Sequence, residues 1–485
     1  MIGKIEFTEE NIQKLFGHEA AEDELPQRLR EYYFKSSVYS QVVTDLPLRI
    51  LVGHKGIGKS ALIKVAMFDD AESDRIAVLV QPNDISRFVY DTSELLLTIQ
   101  DWTEGLREVI VIKVLQQLGV VPSFAYGICD FRGTITDFLF HALENLSWSD
   151  YDPKKQDAIL QFQLDPCITV YIDDLDRGWQ GRREDIIRMS ALLNAVRDLS
   201  NQNRNIRFRI ALRSDVYYLV RTSDESTDKI ENSVIWHTWT NQEIFVLLVK
   251  RIETFFDRAI DEVILMNTPQ YELAKYLHPI MEPRFTGRGH WENAPTHRVL
   301  MSLIRKRPRD LVKLCTLAAR HAYTRRSPVI ATEDLKAVFE EYSQGRIQDT
   351  INEYRSELPD IERLLMNMKP SKPERTAKQG YVYETDELLK KLNRIMEQGA
   401  FCFRNGKAAT AKDLAAFLYK INFLTARKEI ETGIVRRYFE ENRYLSSKFV
   451  DFGFAWEIHP AYRWALQPSD IDSIFDSLEL SADDM

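Results

Sequence analysis

A chain of 485 residues is too long for one ordinary domain and predicts two or three, with 44% hydrophobic residues supplying ample material for their cores. The net charge of −9 repels a nucleic-acid backbone, so any contact of that kind needs a local basic surface. No run reaches the roughly 18 uncharged apolar residues of a membrane span, and Met1-Ile2-Gly3-Lys4-Ile5-Glu6 lacks a signal-peptide pattern. The expectation is a soluble, cytoplasmic protein with no membrane contact. Its scattered cysteines (Cys129, Cys167, Cys315, Cys402) form no Cys-x-x-Cys pair and read as buried thiols.

The first forty-odd residues look helical, with Phe16-Gly17 ahead of the acidic stretch Glu19 to Glu24 and a helix-like Leu25 to Tyr33. From Pro47 strand signals at 48–52, 76–81, 167–172, 206–212 and 233–236 alternate with helix-like stretches at 59–68, 101–118 and 185–199. This alternation predicts an α/β fold with a parallel sheet covered by helices on both faces, and a ligand at the C-terminal edge of its strands. Residues 82–166 read as a helical insertion. After Thr240 the pattern is helical to about Tyr342, broken by a loop at 283–296 around Pro283, Gly287, Gly289 and Pro295.

A helical connector at 345–367 precedes a linker at 368–381. Residues 382–467 form a third module with helices near 385–397, 410–419 and 426–441, then strand-like pieces around 443–446 and 454–459. Three helices followed by a β-ribbon is the pattern of a winged helix, although periodicity also allows a small irregular bundle. The tail from Pro468 to Met485 holds six acids and no bases and reads as disordered, with a docking peptide as the alternative. The expected domains are therefore 1–240, 241–367 and 382–467.

Gly53-His54-Lys55-Gly56-Ile57-Gly58-Lys59-Ser60 spells G-x-x-x-x-G-K-S between the apolar run 48–52 and the helical pattern beginning Ala61-Leu62-Ile63. A triphosphate needs a concave nest of backbone N–H groups and a helix N-terminus, and side chains on Gly53, Gly56 and Gly58 would obstruct it. Lys59 reaches the terminal phosphates, and the short Ser60 hydroxyl suits magnesium. Residues 53–61 are thus the predicted phosphate-binding segment. The run Cys167 to Ile172 ends in Asp173-Asp174-Leu175-Asp176-Arg177, a buried strand delivering acids at its C-terminal end. Asp173 is the expected magnesium partner, acting through water. Asp174 is expected to polarise the attacking water, with Asp176 as the competing candidate or as a cap of the following helix. A basic cluster, Arg305-Lys306-Arg307-Pro308-Arg309 with Lys313, Arg320, Arg325 and Arg326, reads as a solvated helix face, a nucleotide-sensing site or a nucleic-acid surface.

Together these segments resemble the bacterial P-loop ATPases of the AAA+/STAND/KAP group, from about Phe16 to Tyr342 and more loosely in the third module. Asp-Asp-Leu-Asp-Arg looks like a KAP-type Walker B box. The resemblance implies ATP and Mg2+ as cofactors, and Phe16 or Gly17 near the adenine ring unless they serve packing alone. It also implies Arg213, at the end of 208–212, as a γ-phosphate sensor rather than an ordinary strand-end arginine. Arg309, ahead of Arg307, would be a second sensor following the helix-starting Pro308. His459 is similar to a histidine that senses the β-phosphate in some STAND proteins, or else satisfies a local hydrogen bond. The chain departs from the AAA+ pattern in carrying Asp173-Asp174 where Asp-Glu is usual, which implies slow turnover. No arginine finger is assignable among Arg177, Arg182, Arg183 and Arg204.

The expected function is a magnesium-dependent, ATP-hydrolysing molecular switch that controls homo-oligomer assembly or a separate effector; the resemblance adds a setting in bacterial phage defence. Two alternatives are a DNA-dependent loader using the winged helix and basic lid, and a non-hydrolysing ATP-stabilised scaffold. The absence of an Asn/Thr-Lys-x-Asp motif favours ATP over GTP. No nuclease, protease or deaminase motif is present in the sequence.

Overall fold

In a computed structural model, the structure describes residues 5–18, 23–85, 94–120, 128, 131–144, 153–223, 225–376, 380–430, 433–443, 445, 453–467, 474–475 and 477–480. These fall into two compact units: a sheet unit of Lys35–Lys55 and Lys59–His237, and a helical unit of residues 5–34, Gly56–Gly58 and the chain from Thr238 onward.

The helical unit opens with α1 (Glu9–Phe16), capped by the Thr8 hydroxyl, and α2 (Pro26–Tyr32). Ile12, Leu15 and Phe16 bury one face of α1 in the core of that unit. The boundary expected at residue 240 therefore does not hold for the N-terminus, because residues 5–34 pack with the helices and not with the sheet. Of the acidic stretch, residues 19–22 lie outside the described residues.

The sheet unit runs α3 (Ser37–Val42), β1 (Leu48–Gly53), α4 (Lys59–Glu72), β2 (Ile76–Val80), α5 (Pro82–Ile85), α6 (Leu95–Gln117), α7 (Ile135–Glu144), α8 (Pro153–Leu164), β3 (Ile168–Ile172), α9 (Arg183–Gln202), β4 (Ile206–Arg213), α10 (Ser214–Ser223) and β5 (Val234–Trp236). Its five strands are parallel in the order β2-β3-β4-β1-β5. All five residues of β3 are buried, as a strand covered on both faces requires, which explains its unbroken apolar run. The helices α5 to α8 occupy the segment read as an insertion. The register sets the site: Gly53 at the end of β1 pairs with Arg213 at the end of β4, and Ile172, just before the acids, pairs with Ile210.

The helical unit continues with α11 (Asn241–Phe255), α12 (Glu262–Asn267), α13 (Gln270–Leu273), β6 (Arg284–Thr286), β7 (Glu292–Pro295), α14 (Thr296–Leu303), α15 (Pro308–Thr324), α16 (Thr332–Tyr354), α17 (Ile361–Asn367), α18 (Lys372–Thr376), β8 (Val382–Tyr383), α19 (Thr385–Glu397), α20 (Ala411–Lys420), β9 (Leu424–Ile430), β10 (Gly433–Arg437) and β11 (Ala455–Ile458). No helix among the described residues is long and apolar enough to cross a membrane.

Four expectations are corrected here. The loop at 283–296 is an antiparallel hairpin of β6 and β7, since its glycines turn the chain while Phe285, Trp291 and Ala294 enter the core. The helix expected at 426–441 is two strands: β9 pairs with both β10 and β11 in a four-stranded antiparallel sheet ordered β10-β9-β11-β8. Its Arg, Lys and Glu residues suit a helix in isolation, and pairing on both sides overrides that propensity. The linker at 368–381 contains α18, and Lys391 of α19 holds Glu374 at 2.9 Å and the Lys369 carbonyl at 3.1 Å. The tail is docked where it is described: Ile474, Phe475 and Leu478 are buried, with the Phe475 ring 6.0 Å from Trp464 and 6.1 Å from Trp291. The strand-like piece at 443–446 falls mostly outside the described residues, as does Cys129; Cys315 is buried, but Cys402 is exposed.

Buried ion networks fasten the helical unit internally. Glu457 on β11 accepts from Arg436 Nε at 2.7 Å and also pairs with Arg463, all three being buried. Burial alone would raise this carboxyl, but Arg436 and Arg463 outweigh it and hold its pKa at about 2. Because the folded value lies below the ordinary 4.5, this stabilisation is complete above about pH 4.5 and is lost as pH falls toward 2. Acid titration followed by near-ultraviolet circular dichroism is expected to show loss of tertiary signal within that window. Glu457→Gln, judged against the wild type at each pH, should flatten the dependence.

Candidate nucleotide site

The loop after β1 leads directly into α4, whose first turn carries no acidic residue. Gly56 and Gly58 have φ of +79° and +102°, conformations that side chains disfavour. A Cβ on Gly56 would also lie 2.9 Å from Cδ and 3.2 Å from Cβ of Arg309, so the aliphatic stem of Arg309 rests on the loop. Lys59 Nζ donates to the carbonyls of Gly53 at 2.9 Å and His54 at 3.1 Å, folding the ammonium back over the loop. Lys55 is exposed, Ile57 is buried, and Ser60 and Ala61 are half-buried on the first turn of α4.

Asp173 follows β3 beside Ser60. Burial pushes its carboxyl up, opposed by a hydrogen bond with the Ser60 side chain, by the charge of Lys59 and by the Asp174 N–H, which donates to Oδ1 at 2.9 Å. Asp174 has φ of +62°, an uncommon conformation for any residue but glycine, and its carboxylate lies 3.3 Å from Arg177 Nε. Asp176 faces Arg213, whose Nε is 3.3 Å from its Oδ2. It does not cap α9, where Asp185 instead accepts from the Gln180 and Arg182 backbone N–H groups. Arg213 is no ordinary surface arginine: it also donates from Nε and Nη2 to the two oxygens of buried Asp215, at 3.0 and 2.7 Å.

His54, from the predicted segment, and two groups given no role in the sequence analysis, Asp215 and His237, also line up here. The buried His54 ring places Nδ1 3.0 Å from the Ser214 hydroxyl, bracing the start of the loop against the end of β4. Asp215 fixes Arg213, and its sequence signal was its position two residues after that arginine. His237 follows β5, its N–H donating to the Val52 carbonyl at 2.8 Å. Burial, helped by the charge of Lys59, pushes its pKa down to about 3, so it is neutral at physiological pH.

The remaining candidates lie in the helical unit. Phe16 is 1% exposed and its carbonyl accepts from Arg251, so its ring packs in the core. Gly17 has φ of +76°, and a Cβ there would meet the Tyr32 hydroxyl at 2.8 Å. Arg307 is buried with Nη1 3.1 Å from Glu353, which makes it an internal ion pair. Arg305 is likewise buried against Asp310, Lys306 pairs with Glu441 at 2.6 Å, Arg320 with Glu9 at 2.7 Å, and Arg325 with Asp334 at 2.7 Å. In the basic run at 305–326, Arg305 and Arg307 are thus internal, whereas Lys306, Arg320 and Arg325 are ion-paired at less buried positions. His459 has the local hydrogen bonds of the second reading given for it: it is fully buried, Nδ1 accepts from the Ala461 N–H at 3.1 Å and Nε2 lies 2.9 Å from the Tyr438 hydroxyl. Both ring nitrogens are thus engaged locally.

Comparisons with known proteins bear on parts of this picture. Residues 280–351, from the start of the β6–β7 hairpin region through most of α16, match the family described as the FunZ-associated C-terminal helical domain. No curated protein matches the chain. Among solved structures it is similar to the Aeropyrum pernix ORC2 protein in its ADPNP–ADP complexes, at 12% identity and TM-score 0.39 over 93% of each chain. It is also similar to the A. pernix ORC1 protein in complex with DNA, at 13% identity and TM-score 0.32 over 95% of this chain and 97% of that one. The Thermotoga maritima RuvB Holliday junction branch migration motor matches at 11% identity and TM-score 0.31, over 82% and 87%. The parallel α/β fold itself rests on the strand order and on the helices between the strands.

The donors at the end of β3 suit a divalent cation. Ser60 and Asp173 offer hard oxygens in contact with each other, the chemistry magnesium prefers. No cluster of three or more His, Cys, Asp or Glu that could hold a metal occurs among the described residues.

Proposed function

We propose that this protein is a magnesium-dependent ATP-binding and hydrolysing switch of the AAA+/STAND/KAP-like group. The observation that carries the reading is the meeting of a glycine-rich loop, Lys59 and the Ser60–Asp173 contact at the C-terminal end of a parallel sheet. Ser60 and Asp173 would hold magnesium, Asp173 through water, and the ion would offset charge on the phosphoryl oxygens. Lys59 exchanges its loop carbonyls for the terminal phosphates. Asp174, half-buried and held in its unusual backbone conformation, orients the attacking water.

Asp176 serves this reading as the anchor of Arg213. With Asp215 it keeps the guanidinium next to the end of β1, where the γ-phosphate would be sensed. Arg309, lying on Gly56, is the second sensor, since its position depends on the shape of the loop. A hinge can respond to hydrolysis only through contacts that the γ-phosphate makes and phosphate release removes, and these two arginines supply such contacts. Assembly with further copies or control of a separate effector, in a cytoplasmic phage-defence setting, is the role we assign to the switch.

ATP turnover with and without DNA, with mass followed by light scattering, tests the reading. The expected result is slow, DNA-independent turnover that Asp174→Asn reduces at least about tenfold, with ATP-dependent growth in mass. Stimulation by DNA would replace the switch with the loader. Assembly with ATP but without turnover, unchanged in Asp174→Asn, would leave a nucleotide-stabilised scaffold.

A further inference from the structure

The tip of the phosphate loop is held by a side chain outside the motif. Trp239 lies between β5 and α11, and its indole Nε1 donates to the Ile57 carbonyl at 2.8 Å. The two residues are 3% and 4% exposed, and the indole sits 6.4 Å from the Phe34 ring in the same core. The next residue, Thr240, caps α11: its hydroxyl accepts from Glu243 N–H at 3.1 Å while the Glu243 carboxylate accepts from Thr240 N–H at 2.8 Å. Trp239 and Ile244 occupy the positions of a hydrophobic staple around that cap, and both lie in the core. Trp239 is thereby fixed to the first turn of α11.

The consequence follows from peptide geometry. The Ile57 carbonyl and the Gly58 N–H belong to one peptide unit, and no peptide bond among the described residues is cis. In a trans peptide these two groups point in opposite directions. A donor that fixes the carbonyl toward the core therefore turns the Gly58 N–H out of it, and Gly58 meets this demand with φ of +102°. An outward N–H at this point is what a nest of amide donors around an anion requires.

We propose that Trp239 is a positioning residue for the phosphate loop: by holding the Ile57 carbonyl it aims the Gly58 N–H at the polyphosphate and ties the loop to the start of α11. The proposal deepens the nucleotide-switch reading and rests on it. It gives α11 a direct mechanical hold on phosphate affinity, independent of Arg309.

The test measures Mg·ADP binding by calorimetry and thermal stability for the full chain, Trp239→Phe and Trp239→Tyr, with Lys59→Ala as the non-binding reference. Both aromatic variants keep a ring against Phe34 and lose the indole N–H. The expected result is a Kd raised about five- to tenfold in a variant that folds, with KM for ATP raised alike and kcat within about twofold. Folded Trp239→Phe with wild-type Kd and KM, or with a lowered Tm alone, overturns the proposal. If Trp239→Phe does not fold, Trp239→Tyr carries the same expectation and the same refutation. Wild-type protein that binds no better than Lys59→Ala sinks the nucleotide reading and this inference together, whereas wild-type binding with unaffected Trp239 variants sinks the inference only.

Discussion

Asp310→Ala is expected to destabilise the helical unit by about 3–5 kcal/mol and to lower its melting temperature by roughly 10 °C. Asp310 sits in the first turn of α15 and is 1% exposed. It accepts from Arg305 Nε at 2.7 Å and Nη2 at 2.9 Å, and from Arg346 Nη1 at 2.6 Å. Both arginines are 3% exposed, so alanine would leave the Arg305 guanidinium buried without its anion and Arg346 with Asp349 alone, at 3.0 Å. Burial opposes ionisation of Asp310, but Arg305 and Arg346 outweigh it and hold the carboxyl far below its usual range. Its stabilisation is therefore full at neutral pH and wanes only as pH falls below the ordinary carboxylate value. Arg305 also donates to the Thr350 hydroxyl at 3.0 Å and the Tyr462 hydroxyl at 2.8 Å, so the damage spreads from α15 to α16 and the segment after β11. Thermal melts followed by circular dichroism check this, with a triple change of Asp310, Arg305 and Arg346 to apolar residues as a contrast expected to recover much of the loss. A melting temperature for Asp310→Ala within about 2 °C of wild type would show that the pairs are not desolvated as their burial indicates.

Lys59→Ala is expected to weaken Mg·ATP binding by about 2–5 kcal/mol, at least thirtyfold, and to abolish turnover. The fold should be almost untouched. Lys59 makes two hydrogen bonds to loop carbonyls at a half-buried position, a contribution of about 1–2 kcal/mol that water can replace in part. Calorimetry and a melting curve separate the two effects. Equal nucleotide affinity in Lys59→Ala would mean that the loop does not bind phosphate, whatever its sequence.

The sheet and its loop were legible for a local reason. Each strand from 48 to 236 is a short run rich in apolar residues, and β1 passes straight through Gly53 to Lys59, so loop, strand and helix signals agree within one stretch of chain. The acids after β3 were legible because a buried strand that ends in carboxylates needs a reason to do so. The third module misled the reading at 426–441, where Arg427 and Arg436 look solvent-facing in one dimension. They are buried, because Glu429, Glu457 and Glu479, the last from the tail, meet them from β9, β11 and the C-terminal segment. For the described part of the tail the same reason applies: six acids suggest disorder until the basic groups and the aromatic core that receive residues 474–475 and 477–480 are in place.

Composition and spacing alone determined the parallel sheet and set Gly53 to Ser60 between a strand and a helix and Asp173 at the end of another strand, because backbone conformation and strand burial each restrict residue type over a few neighbours. Tertiary structure alone decided the division of roles among the charged groups. It set Arg305 and Arg307 inside ion pairs and left the Arg309 stem on Gly56. It tied Asp176 to Arg213, and it brought Trp239 to Ile57 across 182 residues of chain. Whether an arginine serves a ligand, a neighbour or the core depends on which carboxylates and carbonyls surround it after folding, and those partners are drawn from distant parts of the sequence.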